Sequence, residues 1–324
     1  MSATNPRRNR SRRAPEPNGQ RTKITDNDIF GIFEPLSRYA QLTTKQLVAY
    51  DRRYAQRTRD RLTALFHDDR KWLRRLSQET TFANYLARDE LYQLAEEGAL
   101  LLISKGLLPN AEWVFNSRVG GNSTMPSRLI RLAHDHMASD IALDIEIGAR
   151  GAAAPFLNHI EIIKTAPAAI QKLKYPLRVP VPDVPGAPKW IEPDALFSLG
   201  GRYYALEADM NTESIPTIIH SKIIAYREIV SACVIDEHLG IDNLTVLFVT
   251  INEQRMRAIK EELRGIARDG RSKMFAFACR PDLANFLKAP APTGRMFTLP
   301  WERVGYDNLS FDGNSPQFDS RRHQ

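Results

Sequence analysis

Apolar positions recur with a helical period of about 3.6 residues in the first third of the chain. In the second half, segments with this period alternate with apolar segments typical of strands. On one predicted helix, Thr58, Leu62 and Leu65/Phe66 share a single face. The elements predicted for the first third are helices over 30–41, 44–50 and 55–66, strands over 71–76 and 90–94, and a helix over 96–104. Three helices followed by two strands is the order of a winged helix-turn-helix, with 55–66 as recognition helix and 71–94 as wing.

Basic residues concentrate on this predicted recognition helix and at the start of the predicted wing. Because they lie off the apolar stripe, we expect their side chains to face solvent, where a DNA backbone carries its phosphates. An arginine-rich face on a helical adaptor is the alternative. The candidate DNA-binding residues are Arg52, Arg53, Arg57, Arg59, Arg61, Lys71, Arg74 and Arg75.

The second half of the chain alternates strands and helices, which is typical of an α/β domain. A long helix over 127–149 is predicted to place His134 in a core or interface, and a proline-rich connection follows it. The later predicted elements are strands over 195–199, 202–206, 244–251, 273–278 and 296–299, and helices beginning near 214–216 and over 253–265.

Gly200-Gly201 between two of these strands predicts a two-residue hairpin turn. Such a turn places Leu199 opposite Arg202 and, further along, Asp194 opposite Glu207. Asp209 lies two residues beyond Glu207, on the same face. Three acids on one patch are unfavourable unless a cation, a basic side chain or a proton is shared among them, and carboxylates at a strand end can form a divalent-metal site for phosphodiester chemistry. A solvated strand edge, or a longer loop that shifts the register, is the alternative.

Composition narrows the classes of protein that these patterns allow. The 324 residues are 43% hydrophobic and carry a net charge of +7, which is enough apolar material for a core and excludes a wholly disordered chain. Neither a transmembrane run nor a secretory signal is expected, so we predict a cytoplasmic protein. Cys233 and Cys279, the two cysteines, are predicted to be small buried hydrophobes without a disulfide.

Most of the excess positive charge lies in residues 1–23, which hold seven basic residues against Glu16. We expect this tail to be disordered and to bind phosphates non-specifically. A solubility role, or contact with an acidic lipid surface, is the alternative.

An ordered set of short motifs resembles the replication-relaxation family of plasmids and mobile elements. The set covers about residues 36–304, and no single motif is specific. The motifs are Leu42-Thr43-Thr44-Lys45-Gln46-Leu47, Leu91-Tyr92-Gln93-Leu94-Ala95-Glu96-Glu97-Gly98, His134 with Asp140, Ile191-Glu192-Pro193-Asp194-Ala195-Leu196-Phe197, Leu206-Glu207-Ala208-Asp209, Thr212-Glu213-Ser214 and Lys222-Ile223-Ile224-Ala225-Tyr226.

The resemblance implies a winged helix joined to a restriction-endonuclease-like α/β core, similar to relaxases of mobile elements. Nucleases of this PD-(D/E)xK type carry Pro-Asp on one strand and Glu-x-Lys on the next. Pro193-Asp194 and Glu207 match that pattern, but Asp209 stands where the lysine is expected. Lys222 and Tyr226 are similar to a helical Gln-x-x-x-Tyr motif of related nucleases, with lysine replacing glutamine.

These observations predict a basic disordered tail over 1–27, a winged helix over 28–106, a linker over 107–127, a restriction-endonuclease-like domain over 128–304 and a disordered tail over 305–324. The predicted function is DNA binding in the replication, relaxation or conjugative transfer of a plasmid, phage or other mobile element. Other replication or transfer proteins are expected partners, and a homo-oligomer is compatible with the sequence.

Two functional hypotheses stay open, with a non-DNA-binding structural protein as a third. If the core is a nuclease, Asp194, Glu207, Asp209 and Lys222 are its catalytic residues, and Asp194 and Glu207 hold Mg²⁺ or Mn²⁺. One acid among Asp140, Asp144 and Glu146 is then expected to assist. If the core is degenerate, the chain is a DNA-binding adaptor or regulator without a cofactor.

Overall fold

The computed structural model describes residues 21–39, 41–51, 53–75, 89–110, 113, 125–285 and 289–312. The chain divides into two units, Met1–Leu132 and Ala133–Gln324. The predictions made for residues 1–20, for Arg52 and for 76–88 of the proposed wing therefore lie outside the described residues.

The first unit begins with helices and continues into short strands, in the predicted order. Its first helical segment contains a π-helical stretch, Ile29–Phe33, between two α-helical pieces. The helices are α1 (Asp26–Asp28), α2 (Glu34–Arg38), α3 (Thr44–Asp51), α4 (Ala55–His67) and α5 (Glu96–Ser104). The strands are β1 (Leu42–Thr43), β2 (Leu73–Arg75) and β3 (Leu91–Leu94), arranged β1-β3-β2 with antiparallel pairing.

Helix α4 forms because its apolar side chains follow the helical period. Thr58, Leu62, Leu65 and Phe66 are all buried, as the stripe predicted. The hydroxyl of Thr58 donates to Asp51 Oδ2 at 2.5 Å, which satisfies the one polar group on that face. The opposite face of α4 is therefore free to carry charge.

The second unit is built around a six-stranded mixed sheet in the order β11-β10-β9-β8-β7-β4. Strands β8, β9 and β10 are parallel, and the other neighbouring pairs are antiparallel. The strands are β4 (Phe156–Asn158), β7 (Ala195–Leu199), β8 (Arg202–Asp209), β9 (Leu244–Thr250), β10 (Ser272–Cys279) and β11 (Glu302–Val304). A separate two-stranded ribbon joins β5 (Val179–Pro180) to β6 (Trp190–Ile191).

The β7–β8 hairpin has the predicted turn and register. Gly200 and Gly201 have φ angles of 56° and 81°, values that a residue without a Cβ adopts most easily. Leu199 pairs with Arg202, and Ala195 pairs with Leu206. The described pairing ends at Ala195–Leu206, and the N–H of Asp194 donates to Leu206 O, so the ladder stops one residue before the predicted Asp194–Glu207 pair.

Helices accompany the sheet along the chain. They are α6 (Met125–Gly151), α7 (His159–Thr165), α8 (Ala168–Gln171), α9 (His220–Ser231), α10 (Val234–Leu239), α11 (Glu253–Ile266) and α12 (Arg295–Thr298). Ser214 begins a π-helical stretch, Ile215–Ile219, that leads into α9. Asn252 caps α11 by accepting bonds from Gln254 N and Arg255 N. Within the second unit, α6, α9 and α11 carry site residues that do not come from the sheet.

Several local predictions are corrected by the structure. The strand predicted over 296–299 is the helix α12, because Gly294 (φ 84°) turns the chain and Asp144 accepts the backbone N–H of Met296. The tail predicted to be disordered from 305 is packed as far as 312, since Trp301 and Leu309 exchange backbone hydrogen bonds of 2.8 Å. Cys233 is exposed rather than buried, at a left-handed turn between α9 and α10.

The α/β class is confirmed for this chain by the mixed sheet and its helices. The winged-helix and restriction-endonuclease-like assignments remain predictions, as do the domain limits. None of the helices in the described part of the chain combines the length and apolarity that crossing a bilayer requires.

Candidate functional site

Asp194 lies just before β7, where the hairpin register fixes its backbone. Its N–H donates to Leu206 O at 2.9 Å, and its Oδ2 accepts the N–H of Ala208 at 2.8 Å. His134 Nε2 of α6 lies 3.3 Å from the same Oδ2. The carboxylate is thus held by the neighbouring strand on one side and by an imidazole on the other.

Glu207 is buried on β8, with only 2% of its surface exposed. Its two oxygens have different partners from helix α9. The hydroxyl of Tyr226 donates to Oε1 at 2.5 Å, and Lys222 Nζ lies 2.9 Å from Oε2. The four-residue spacing of Lys222 and Tyr226 places both on the helix face that covers this carboxylate.

Lys222 connects this carboxylate to a second acid. Its ammonium group also lies 3.0 Å from Glu213, which follows β8 in the chain. Burial acts to lower the pKa of Lys222, but Glu207, Asp194 and Glu213 outweigh it and raise that pKa above its usual value. Lys222 is therefore a permanent positive charge inside the cluster.

The two facing carboxylates differ in their tendency to ionise. Burial raises the pKa of Glu207 to about 7 in spite of Lys222, and the charge of Asp194 adds to the rise. For Asp194, burial also opposes ionisation, but His134 and Lys222 outweigh it and lower the pKa. Asp194 thus carries the negative charge at neutral pH, while Glu207 is close to half protonated.

His134 is the charge partner of Asp194 and not the core histidine that the apolar stripe predicted. Burial acts to lower its pKa, but Asp194 and Asp135 raise it to about 11. The side chain is 26% exposed. The histidine two residues further on behaves in the opposite way: burial alone lowers the pKa of His136 to about 4.

Asp209, the third predicted acid, is paired with an arginine. Arg255 of α11 pairs with it at 2.7 and 3.2 Å, and the N–H of Asn211 donates to its Oδ1 at 3.1 Å. Arg255 also donates to the backbone oxygen of Glu213. The cluster is therefore a continuous network in which four carboxylates meet three cationic groups.

Sequence reasoning missed Glu213 and Arg255 in this network. A signal for Arg255 was present: β8 and β9 are parallel strands, and Asp209 pairs with Thr250 at the ends of both. A basic residue shortly after the second strand lies at the same sheet edge as an acid that ends the first.

One of the predicted helper acids of α6, Asp144, holds the backbone of a distant segment. Asp144 accepts three backbone N–H groups, from Thr293, Gly294 and Met296, at 2.6–2.7 Å. The charges of Asp140 and Asp144 instead act on Arg280, whose pKa they help to raise against the effect of burial.

The described residues contain no group of three or more His, Cys, Asp or Glu side chains arranged to hold a metal ion. Asp194 and Glu207 nevertheless supply two facing carboxylates, and Mg²⁺ is commonly held by one or two carboxylates with waters completing its shell. Burial is the largest cause of the raised pKa of Glu207, and the charge of Asp194 adds to it. A cation held by Asp194 and Glu207 would share oxygens that His134, Tyr226 and Lys222 already contact, and Asp209 is paired with Arg255.

In the first unit, two of the predicted DNA-binding residues are paired with buried acids. Arg61 Nε and Nη2 bind the buried carboxylate of Asp28 at 2.8 and 2.7 Å. Arg53 binds Asp51 at 2.6 Å and reaches Asp28 at 3.4 Å. These guanidinium groups are tied inward because they neutralise acids that are nearly inaccessible to water.

The other predicted DNA-binding residues differ in their exposure. Arg75 lies over the rings of Phe66 and Tyr92, at 4.1 and 5.2 Å from their centroids. Four remain as exposed positive charges on α4 and at the start of β2, namely Arg57, Arg59, Lys71 and Arg74.

Comparison with known proteins gives one result. The family model for replication-relaxation matches residues 34–243, which is more than half of the chain. The matched range contains Asp194, Glu207, Lys222 and Tyr226 and ends before Arg255. Neither a curated protein nor a solved structure matches the chain. The chain therefore belongs to the replication-relaxation family.

Proposed function

We propose that this protein binds the DNA of a plasmid, phage or other mobile element, with the first unit as a winged-helix module that contacts the duplex. The observation that carries the proposal is the exposure of Arg57 and Arg59 on α4, on either side of the buried apolar stripe. Lys71 and Arg74, which follow the helix in the chain, are exposed as well. Side chains of this kind attract phosphates at any sequence and set the strength of non-specific binding.

Duplex binding by an Arg57→Ala/Arg59→Ala variant tests this proposal. Each lost phosphate contact reduces the slope of log K against log salt by about 1, so the double variant should lose about 2. A matched control is Arg257→Ala/Arg264→Ala, which removes two arginines from exposed positions on α11. If the Arg57/Arg59 variant and the control bind duplex DNA with the same salt dependence as wild type, the proposal is wrong.

A second candidate function, DNA nicking, is favoured by one contact. Lys222 Nζ lies 2.9 Å from Glu207. The strand motif lacks its lysine, and Lys222 on helix α9 places an ammonium group beside the same carboxylate. In this candidate, Asp194 and Glu207 hold Mg²⁺ or Mn²⁺. When bound, such an ion polarises a phosphate and lowers the pKa of water.

The chain's own residues would have separate tasks in that reaction. His134 keeps Asp194 ionised and oriented, and Tyr226 fixes one oxygen of Glu207. Lys222 supplies positive charge next to the scissile phosphate, where charge accumulates as the bond breaks. The degenerate-core alternative assigns the same network a purely structural role.

Nicking of supercoiled plasmid with Mn²⁺ and a thermal melt with Mg²⁺ separate these two candidates. A nuclease site predicts nicking that Asp194→Asn and Glu207→Gln abolish, together with a rise in Tm on adding Mg²⁺ that both variants lose. Asp282→Asn is a control acid outside the network. A wild-type Tm that does not respond to Mg²⁺, with DNA bound but intact, favours the adaptor.

A further inference from the structure

A cluster of exposed aromatic and basic side chains lies on the chain segment that leads into Asp194. Trp190 is 53% exposed and Tyr175 is 37% exposed. The guanidinium of Arg178 lies over both rings, 4.9 Å from the centroid of Tyr175 and 5.3 Å from that of Trp190. We call these three residues the Tyr175–Trp190 platform.

The backbone beneath this platform is fixed. Trp190 belongs to β6, which pairs with β5 through Val179 opposite Ile191, and both of these side chains are buried. His238 Nε2 lies 2.9 Å from the carbonyl oxygen of Pro176, between Tyr175 and the ribbon. Because the rings stand on a held backbone and have few rotatable bonds, a ligand that stacks on them pays little conformational entropy.

The surroundings of the platform are positively charged. Lys172, Lys174 and Lys189 are exposed, and Lys174 Nζ lies 5.6 Å from the Tyr175 centroid. Two acids share the segment. Asp183 is exposed, and Glu192 is neutralised by Arg178 at 3.1 Å. On this segment, residues 172–192, Lys172, Lys174, Arg178 and Lys189 thus stand against two acids.

Exposed rings beside exposed lysines match the chemistry of an unpaired nucleic acid strand. In a single strand, each base offers a free π-face and each linkage offers a phosphate, whereas a duplex hides its base faces in the stack. We propose that the Tyr175–Trp190 platform binds single-stranded DNA, with a base stacked on Trp190 and phosphates held by the neighbouring lysines.

The location of the platform relates it to the carboxylate cluster. Trp190 precedes Asp194 by four residues, so their Cα atoms lie within about 14 Å of each other even in a fully extended chain. A strand bound at Trp190 is thereby kept near Asp194. This inference shares with the proposed function the choice of DNA as ligand, but it uses other residues, so each proposal can fail alone.

Intrinsic fluorescence offers a direct readout, because the chain has four tryptophans and three of them are buried. Trp72, Trp113 and Trp301 are 6%, 5% and 0% exposed. Oligo-dT should therefore quench the emission of Trp190 in the full-length protein. Trp190→Ala should abolish this quenching and weaken oligo-dT binding ~5- to ~100-fold, while Trp190→Phe retains part of the affinity.

Two controls make the test specific. Tyr306→Ala removes another exposed ring that carries cations, with Arg271 and Lys273 lying 4.4 and 4.9 Å from its centroid, and should bind oligo-dT normally. Duplex binding through Arg57 and Arg59 should be unchanged in Trp190→Ala. The inference is overturned if Trp190→Ala binds oligo-dT as wild type does, if wild type does not bind it at low salt, or if Trp190→Ala loses binding to anionic vesicles while keeping oligo-dT.

Discussion

Each unit of the protein buries an acid against a cationic partner, yet the two acids are in opposite states. In the first unit, Asp28 is fully buried but its pKa is lowered, because hydrogen bonds from Arg61 and Thr25 outweigh the cost of burial. In the second unit, burial raises the pKa of Glu207 to about 7, and Lys222 does not reverse the rise.

The difference lies in how far the neighbours offset the effect of burial on each pKa. Asp28 receives two bonds from Arg61 and two from Thr25, at 2.7–2.8 Å, and no second acid accompanies it in this set of contacts. Glu207 faces Asp194, so its charge is repelled as well as desolvated. An acid that is fully compensated supports a fold, whereas one left near its titration point is suited to proton or cation binding.

The largest effect is expected from removing the compensated acid. Asp28→Ala leaves the partly buried guanidinium of Arg61 without its carboxylate and should destabilise the first unit by about 3–4 kcal/mol. Hydrogen exchange of the α4 amides measures this locally. Asp60→Ala removes an exposed acid on the same helix, bonded to Gln56, and should change stability by no more than about 0.5 kcal/mol. Equal losses of stability in the two variants would contradict a structural role for the Asp28–Arg61 pair.

His136 tests whether buried groups of the second unit resist charging in general. Its folded pKa of about 4 lies below the ordinary value of 6.5, so the unfolded chain binds the proton first as pH falls. Stability should therefore be lost between about pH 6.5 and 4, by up to about 3 kcal/mol. His136→Gln should flatten this part of a urea-unfolding profile, and an unchanged slope would refute the assignment.

Glu207 should show the opposite dependence on pH. Because its pKa is raised from 4.5 to about 7, the folded state holds the proton longer than the unfolded chain does. The contribution of Glu207 to stability is full below pH 4.5 and declines as pH rises towards 7, with a slope of at most about 1.4 kcal/mol per pH unit. Calorimetry in metal-free buffer should find that Glu207→Gln removes this decline. A decline of equal size in the variant would assign it to another group.

The smallest effect on stability is expected at the exposed arginines of α4. Arg57→Ala should leave the free energy of unfolding within about 0.5 kcal/mol of wild type, since its side chain is exposed. Arg61→Ala, four residues along the same helix, should destabilise the unit by several times more, because it removes the guanidinium that binds the buried carboxylate of Asp28. Urea unfolding of both variants makes the comparison, and similar midpoints would contradict the division between surface and structural arginines.

Local patterns in the sequence were enough to predict the hairpin that brings Asp194 near Glu207. The Gly200-Gly201 turn fixes the register, and the two-residue period of strands then decides which side chains face one another. The buried stripe of α4 was likewise predicted from residues close together in the chain. Both predictions depend on residues that lie close together in the chain.

The partners of the charged groups could not be predicted in the same way. Arg61 finds Asp28 across 33 residues, and Arg255 finds Asp209 across 46. Helical periodicity shows that Arg57, Arg59 and Arg61 lie off the apolar stripe, but only the tertiary structure shows which of them is neutralised. The partner of His134 could not be predicted for the same reason, since Asp194 lies 60 residues later in the chain.

The bonds made by Asp144 have a consequence for the order in which the second unit folds. This carboxylate of α6 is satisfied by N–H groups located 149, 150 and 152 residues later in the chain. A contact of such high sequence separation forms late and slows folding, because a long loop must close first. During synthesis, α6 is therefore complete well before the N–H groups that Asp144 accepts exist. A nascent chain that stops before Thr293 holds an unsatisfied acid where the finished protein has a bonded one, which makes the packing of α12 against α6 a late step of folding.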